Sequence, residues 1–226
     1  MVLLLPHGYE GQGPDHSSAR IARWLTMAAD DAFVVAQPST PASYFHALRQ
    51  HSLSEEHRPM VVFTPKSMLK RKEAASQPSD FTNGTFRPFV TEDDADPATV
   101  DTLLICSGRI TWDLMVERAK REDAGRFAIA RVEQLYPAPI EEISAELARY
   151  PRLQTVRWVQ DEPGNMGPAP YYSLNVWPQI GATVECVTRP RSSSPSVGTA
   201  KRHAEEQKSL MAAAFASVSD RTVQDY

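Results

Sequence analysis

The feature that most constrains this chain is an alternation between short apolar runs and stretches whose apolar residues recur at helical spacing. Residues 2–5, 33–36 and 60–63 are apolar runs of strand length, and helix-like segments at about 17–29 and 41–51 separate them. This β–α–β–α–β order predicts parallel strands joined by right-handed crossovers. The fold class is therefore expected to be α/β.

The same alternation resumes in the second half of the chain. Apolar runs predict strands at 102–106, 127–132, 155–159 and 183–187, and helical spacing predicts helices at about 111–122, 139–149 and 200–217. Residues 66–97 between the two parts show no clear period. They carry a basic run, Lys66, Lys70, Arg71 and Lys72, and an acidic run, Glu92, Asp93, Asp94 and Asp96. We interpret them as a solvated interdomain linker.

Composition and charge exclude several classes of protein. The charged fraction of 23% and the net charge of −4, spread along the chain, argue against a disordered protein and against a nucleic-acid surface. No apolar run approaches the roughly 18–20 residues that span a bilayer. Cys106 and Cys186 lie far apart in apolar runs, which favours buried, reduced thiols. We therefore expect a cytoplasmic protein without membrane or nucleic-acid partners.

The first apolar run has an unusual position, because it opens the chain. We expect residues 2–5 to form a buried parallel strand, and such a strand needs neighbours and covered faces. The sequence therefore favours a segment of a larger protein, or a subunit that needs a partner chain.

A glycine-rich loop at residues 6–16 is the strongest candidate for a functional site. It follows the first strand, and ligands of open α/β sheets collect at the carboxyl ends of strands. The loop contains His7, Glu10, Gln12 and His16. His16 is expected directly before a helix capped by Asp15 or Ser17, where its ring can meet an anion beside free N–H groups.

Other polar groups are weaker candidates. His46, Arg49 and His51 share one predicted helix and are interpreted as its solvated face. Arg109 follows a strand, where it is either part of an anion site or a plain surface arginine. Asp161 and Glu162 are adjacent, and because adjacent side chains usually point apart we do not assign them joint acid–base chemistry.

The motifs taken in order resemble one enzyme family. They are LLLPHGYEGQGPDHSSAR, QPSTPASYFHALR, RPMVVFTPKSML, CSGR, FAIARVEQLYP, WVQDEP and RPRSSSPSVGTAKRHAEEQ. Over nearly the whole chain the sequence is similar to the C-terminal portion of the first, decarboxylating component of 2-oxoglutarate dehydrogenase.

This resemblance implies a transketolase-like architecture divided into three parts. Residues 1–70 would be the end of a pyrimidine-binding domain with a parallel sheet, 71–98 a linker, and 99–226 a transketolase C-terminal-like α/β domain. The family uses thiamine diphosphate and Mg²⁺ to decarboxylate 2-oxoglutarate, and it passes the succinyl group to a lipoyl-lysine of the acyltransferase component. Its members form homodimers.

The resemblance also implies roles for particular residues. His16 takes the position of the family's substrate-binding histidine, and His7 lies beside it; both are assigned as catalytic and, with Glu10 and Gln12, as substrate-binding. No Gly-Asp-Gly motif for the magnesium–pyrophosphate site is present. The chain is therefore expected to need the missing N-terminal catalytic domains and to be inactive alone.

Regulation is expected to differ from one branch of the family. Actinobacterial members bind acetyl-CoA through seven residues. Of the residues at these positions in this chain only Gln134 matches, and we assign it as regulatory. Arg109, outside the seven positions, is assigned as regulatory as well. The seven positions correspond here to Val34, Gln50, Thr85, Pro88, Gln134, Glu141 and Glu142. Because two glutamates replace two arginines and would repel a phosphorylated nucleotide, this activator site is expected to be absent or altered.

Two alternatives stay open. The chain can instead be a non-catalytic dimerisation or assembly module from a truncated gene. It can also be the second subunit of a two-chain branched-chain or pyruvate dehydrogenase, but such subunits carry a complete pyrimidine domain.

Overall fold

The computed structural model describes residues 1–92 and 94–217 and contains two mixed, mostly parallel sheets. The strands are β1 (Val2–Leu5), β2 (Val34–Ala36), β3 (Met60–Phe63), β4 (Phe89–Val90), β5 (Thr102–Cys106), β6 (Phe127–Val132), β7 (Gln134–Tyr136), β8 (Thr155–Pro163) and β9 (Val184–Arg189). The helices are α1 (Ile21–Thr26), α2 (Pro41–Leu53), α3 (Pro78–Asn83), α4 (Ile110–Arg118), α5 (Ile140–Arg149), α6 (Ala169–Asn175), α7 (Trp177–Ile180) and α8 (Ala200–Ala214).

The α/β class and the mainly parallel pairing are confirmed. The first sheet has the order β1-β3-β2-β7, and the second has the order β4-β6-β5-β8-β9. Only β7 and β4 run antiparallel to their neighbours, β2 and β6 respectively. Both strands are two or three residues long, which is too short for a clear apolar period.

The prediction that the first strand is buried was wrong. Strand β1 lies at the edge of its sheet and pairs with β3 alone. Its residues alternate, so that Leu3 and Leu5 pack against the core while Val2 and Leu4 are 38% and 51% exposed. Within the described residues, one face of β1 is therefore open.

Helix α2 begins as its sequence predicts. Thr40 caps it by accepting a hydrogen bond from the Ser43 N–H at 3.0 Å, and Pro41 occupies the first turn, where its missing N–H is not needed. His46 on this helix is buried rather than part of a solvated face, and its Nε2 lies 2.7 Å from the carbonyl oxygen of Asp80. That correction follows from α3, which covers this side of α2.

The segment expected to be a solvated linker contains structure. Besides 3₁₀ turns it holds α3 and β4, and β4 joins the second sheet through β6. Arg71 pairs with Asp113 at 2.6 Å. Glu92 accepts hydrogen bonds from the two terminal guanidinium nitrogens of Arg118. Residues of the two charge runs therefore form ion pairs with residues far along the chain, which the sequence alone did not indicate. Asp93 of the acidic run lies outside the described residues.

The two sheets share one large apolar core. Val35, Val61 and Phe63 of the first sheet belong to the same cluster as Leu103 and Ile105 of the second. A second cluster packs α4 and α8 against the opposite face of the second sheet. Cys106 is fully buried there, whereas Cys186 is partly exposed. Among the described residues no helix is long and apolar enough to cross a membrane.

Glu133 marks the point where the chain passes from the second sheet to the first, between β6 and β7. Its side chain is fully buried. The carboxylate accepts hydrogen bonds from the N–H and hydroxyl of Ser39 and from the hydroxyl of Ser43. Arg131 Nε lies 3.2 Å away. One buried charge thus holds the loop after β2 against the second sheet.

We expect Glu133→Ala to lower the free energy of unfolding by about 3–5 kcal/mol, because it leaves buried donors and a cation without their partner. Glu205→Ala, on an exposed position of α8, is the matched control and should change it by less than about 0.5 kcal/mol. Chemical denaturation at neutral pH measures both values. Equal effects of the two substitutions would contradict this role of Glu133.

Candidate functional site

The glycine-rich loop is closed on itself by hydrogen bonds. The Gly8 N–H donates to the carbonyl oxygen of His16 at 2.9 Å. The buried Ser17 hydroxyl lies 2.9 Å from the Gly13 carbonyl and 3.1 Å from the Gly8 carbonyl, and it donates to both. Ser17 therefore fixes the loop rather than capping a helix.

Two glycines are required by this closed geometry. Gly13 has a φ of 86°, a left-handed value that side chains disfavour. A Cβ on Gly8 would lie 2.9 Å from Cβ of Pro65, at the end of the neighbouring strand β3. The loop consequently sits close to the residues that follow β3.

His16 occupies a different position from the one the sequence predicts. It ends a 3₁₀ turn, Pro14–His16, and α1 begins only at Ile21, so the ring is not beside the first turn of a helix. The predicted start at residue 17 failed because Arg20, immediately before α1, has a left-handed φ of 48° that interrupts the helix.

His7 and His16 are brought together, with their ring centroids 6.4 Å apart. Burial, and then the charge of His16, lower the pKa of His7. The Ala19 N–H donates to Nδ1 of His7 at 3.3 Å, so the neutral ring carries its proton on Nε2. His7 is thus a neutral hydrogen-bond donor near neutral pH.

The two other loop residues assigned to the substrate differ in their surroundings. Both carboxylate oxygens of Glu10 accept hydrogen bonds from the Ser67 N–H at 3.2 Å, and one also accepts the Ser67 hydroxyl. Glu10 therefore anchors the loop to the segment after β3. Gln12 is exposed at the tip of the loop.

A small cavity behind His7 contains a residue that sequence reasoning did not assign. Its volume is about 20 Å³, close to that of one water molecule. The lining residues are His7, Gly8, Tyr9, Ser17, Arg20, Ile21, Phe63, Glu162 and Met166. Adjacent side chains do point apart: Asp161 accepts a bidentate pair of hydrogen bonds from Arg109, while Glu162 lines the cavity.

Burial, and then the negative charge of Asp161, raise the pKa of Glu162 to about 7. Arg20 contributes a second polar group to the cavity lining, since its buried Nε has no hydrogen-bond partner among the described residues. The sequence did give one indication of Glu162, which is its place at the carboxyl end of strand β8. In the structure this end of β8 faces the loop after β1.

Arg189 connects the loop to the second sheet. The Tyr9 ring is buried, and the guanidinium carbon of Arg189 lies 5.5 Å from its centroid. Arg189 Nε donates to the carbonyl oxygen of Asp161 at 2.7 Å, and another nitrogen pairs with Glu206 at 3.2 Å. The position of the loop therefore depends on β8, β9 and α8.

The two residues expected to be regulatory both make contacts within this chain, and Arg109 also lies close enough to the loop to interact electrostatically with Glu10. Arg109 pairs with Asp113 at 2.8 Å as well as with Asp161, so its guanidinium is occupied by carboxylates of the same chain. Gln134 donates to the carbonyl oxygen of Pro137 at 2.9 Å. It borders an open cleft of about 340 Å³ lined by Pro88, Gln134, Pro137, Ala138, Pro139, Ile140, Glu141 and Glu142.

Fold and loop together define a transketolase-like protein, and comparison with known families agrees. Residues 1–72 match the transketolase pyrimidine-binding domain, and residues 75–215 match the 2-oxoglutarate dehydrogenase C-terminal family. The chain belongs to the 2-oxoglutarate dehydrogenase family and matches the C-terminal portion of its first component.

Individual relatives agree with this assignment. The chain is 47% identical over 220 residues to the 2-oxoglutarate dehydrogenase E1/E2 component of Corynebacterium glutamicum, covering 95% of this chain and 18% of that protein. It is 44% identical over 224 residues to a multifunctional 2-oxoglutarate metabolism enzyme of a Mycobacterium species, covering 96% and 18%. With the 2-oxoglutarate dehydrogenase E1 component of Cupriavidus necator it shares 42% over 221 residues, covering 96% and 23%. The chain thus spans about one fifth of the length of these relatives.

The raised pKa of Glu162 predicts a pH-dependent stability. An acid whose pKa is higher in the folded than in the unfolded chain stabilises the fold below its usual value of 4.5 and loses that contribution as the pH rises to about 7. Glu162→Gln, which cannot ionise, should therefore exceed the wild type in stability at pH 8, by about 3 kcal/mol at most.

Denaturant unfolding at pH 5, 6, 7 and 8 measures this difference, which should shrink towards pH 5. Glu205→Gln is the control and should follow the wild type at every pH. A constant difference between Glu162→Gln and the wild type would show that Glu162 does not ionise in this range.

Proposed function

We propose that this chain forms one wall of the active site of a thiamine-diphosphate-dependent 2-oxoglutarate dehydrogenase. The observation that carries the proposal is the convergence of His7 and His16 at the carboxyl end of β1. Their nitrogens suit a carboxylate, and 2-oxoglutarate is a dicarboxylate. Membership of the family supplies the reaction: decarboxylation, then transfer of the succinyl group to a lipoyl-lysine of the acyltransferase component.

The role of this chain is to bind and orient the substrate. His7 can donate through Nε2, because Nδ1 already accepts the Ala19 N–H. Ser17 and Glu10 hold the loop, so the two imidazoles keep their separation without further ordering when the substrate binds. Glu10 and Gln12 remain part of the proposed substrate site, Glu10 through its hold on the loop.

The cofactor requires residues beyond those described. When bound, thiamine diphosphate would supply the electron sink that decarboxylation of a 2-oxo acid needs. Within residues 1–92 and 94–217 no group of three or more His, Cys, Asp or Glu side chains is placed to hold a metal ion. We propose that the N-terminal catalytic domains of the complete enzyme hold Mg²⁺ and make most contacts with the cofactor, and that the chain is inactive without them.

We propose a division into residues 1–70, 71–98 and 99–226, in which 71–98 is a structured connection rather than a solvated linker and the last part contributes to a homodimer. A non-catalytic dimerisation or assembly module stays the alternative proposal. Adding a polypeptide that carries the missing domains and measuring CO₂ release from 2-oxoglutarate separates the two candidates.

In the complete enzyme, His16→Ala should reduce kcat/KM for 2-oxoglutarate by roughly 10- to 100-fold, because a hydrogen bond to a charged group contributes about 1.5–3 kcal/mol. His57→Ala, at an exposed position outside the loop, should leave it unchanged. Steady-state kinetics of CO₂ release give both values. Wild-type kcat and KM in His16→Ala would remove His16 from the site.

We also propose that acetyl-CoA does not activate this enzyme. Four of the seven positions named for that ligand, Pro88, Gln134, Glu141 and Glu142, border the cleft at the start of α5. The two exposed glutamates there oppose a phosphorylated ligand. Regulatory roles for Gln134 and Arg109 stay a proposal.

Accordingly, millimolar acetyl-CoA should leave KM and kcat for 2-oxoglutarate unchanged in the complete enzyme. An equal concentration of ADP is the control for ionic strength. Stimulation by acetyl-CoA but not by an equal concentration of ADP would contradict the proposal.

A further inference from the structure

Lys66 lies against the substrate-binding histidine, although it belongs to a different segment. It begins the 3₁₀ turn Lys66–Lys70 that follows β3, the strand beside β1. Its ammonium nitrogen Nζ is 2.9 Å from Nε2 of His16. Because parallel strands end at the same edge of a sheet, the carboxyl ends of β1 and β3 deliver these two side chains to one place.

The charge of Lys66 is not neutralised within the described part of the chain. Lys66 forms no ion pair with a described residue. The nearby carboxylate, Glu10, uses both oxygens to accept hydrogen bonds from Ser67. Arg71, at the end of the same 3₁₀ turn, is in contrast held by Asp113 and Glu73. Lys66 is also exposed, so an incoming ligand can reach it.

The contact with His16 defines the donors that face a ligand. An ammonium group has only donors, so Lys66 donates to Nε2 of His16, whose own proton is then on Nδ1. Two further N–H groups of Lys66 stay available. A carboxylate at this position would meet a full positive charge together with an imidazole.

We propose that Lys66 binds the distal carboxylate of the substrate beside His16 and makes the enzyme select 2-oxo acids that carry a second carboxylate. This inference rests on the proposed function and adds a residue to its site. A hydrogen bond between ammonium and carboxylate is stronger than a neutral one, so its loss should fall on charged substrates alone.

The test compares 2-oxoglutarate with 2-oxopentanoate, which has a methyl group in place of the distal carboxylate. In the complete enzyme, Lys66→Met should raise KM for 2-oxoglutarate by about tenfold or more and change kcat by less than about twofold. The kcat/KM for 2-oxopentanoate should stay the same, so that the preference for 2-oxoglutarate falls by the same factor. Lys66→Arg should restore part of that preference.

Lys70→Met is the matched control, since Lys70 is exposed at the other end of the same 3₁₀ turn. It should behave as the wild type with both substrates. An equal loss for both substrates in Lys66→Met would reveal a merely structural role and overturn the inference, as would an unchanged preference.

A binding measurement keeps this inference separate from the proposed function. If the complete wild-type enzyme does not decarboxylate 2-oxoglutarate, the proposed function fails. Glutarate can still be titrated into the protein with ¹⁵N-labelled histidines, with pentanoate as the monocarboxylate control. Glutarate should shift the His16 signals at an affinity that Lys66→Met weakens by about tenfold. No shift, or equal affinity in the variant, would overturn the role of Lys66.

Discussion

The buried carboxylate of Glu133 is the interaction on which the arrangement of the molecule depends. The chain leaves the second sheet at β6 and enters the first at β7 with one residue between them. A charge at that point is tolerated only with partners, and Ser39, Ser43 and Arg131 provide them. Since Ser39 precedes α2, the same contacts set the first sheet against the second.

This junction explains how a loop after β1 comes to face the end of β8. His7 and Glu162 are more than 150 positions apart in the sequence, yet they line one cavity. A second connection, from Tyr9 through Arg189 to Asp161, holds the same two parts from the other side. The candidate site is therefore an interface between two sheets, and substitutions in either one can displace its residues.

Much of the fold follows from the sequence, because apolar runs of four to six residues define strands wherever both faces are covered. Strands β3, β5 and β6 were predicted to the residue for this reason. Strands β4 and β7 were missed, since they are short and pair with partners far along the chain. The start of α1 was wrong because the local backbone at Arg20 overrides helix propensity.

The candidate site also contains residues that the sequence predicts and residues that only the structure identifies. The glycine-rich loop and its two histidines could be found from residue types and their place after a strand. Lys66 could not, because its importance comes from its contact with His16 in space. For Glu162 the sequence offered only its place at the end of a strand, and its cavity shared with His7 became visible in the structure. Spacing along the chain carries no information about either distance.

Three side chains that can carry a charge, His7, Arg20 and Glu162, line the shared cavity. Just below neutral pH the lowered pKa of His7 and the raised pKa of Glu162 favour their neutral forms, so Arg20 gives the cavity a net positive charge. Below that range His7 gains a proton, and above about 7 Glu162 loses one. The wall behind the loop thus loses its net positive charge in alkaline solution, where it attracts a nearby anion less strongly. For the proposed dicarboxylate substrate, ionisation of Glu162 would therefore weaken binding as the pH rises, independently of the groups that contact the ligand.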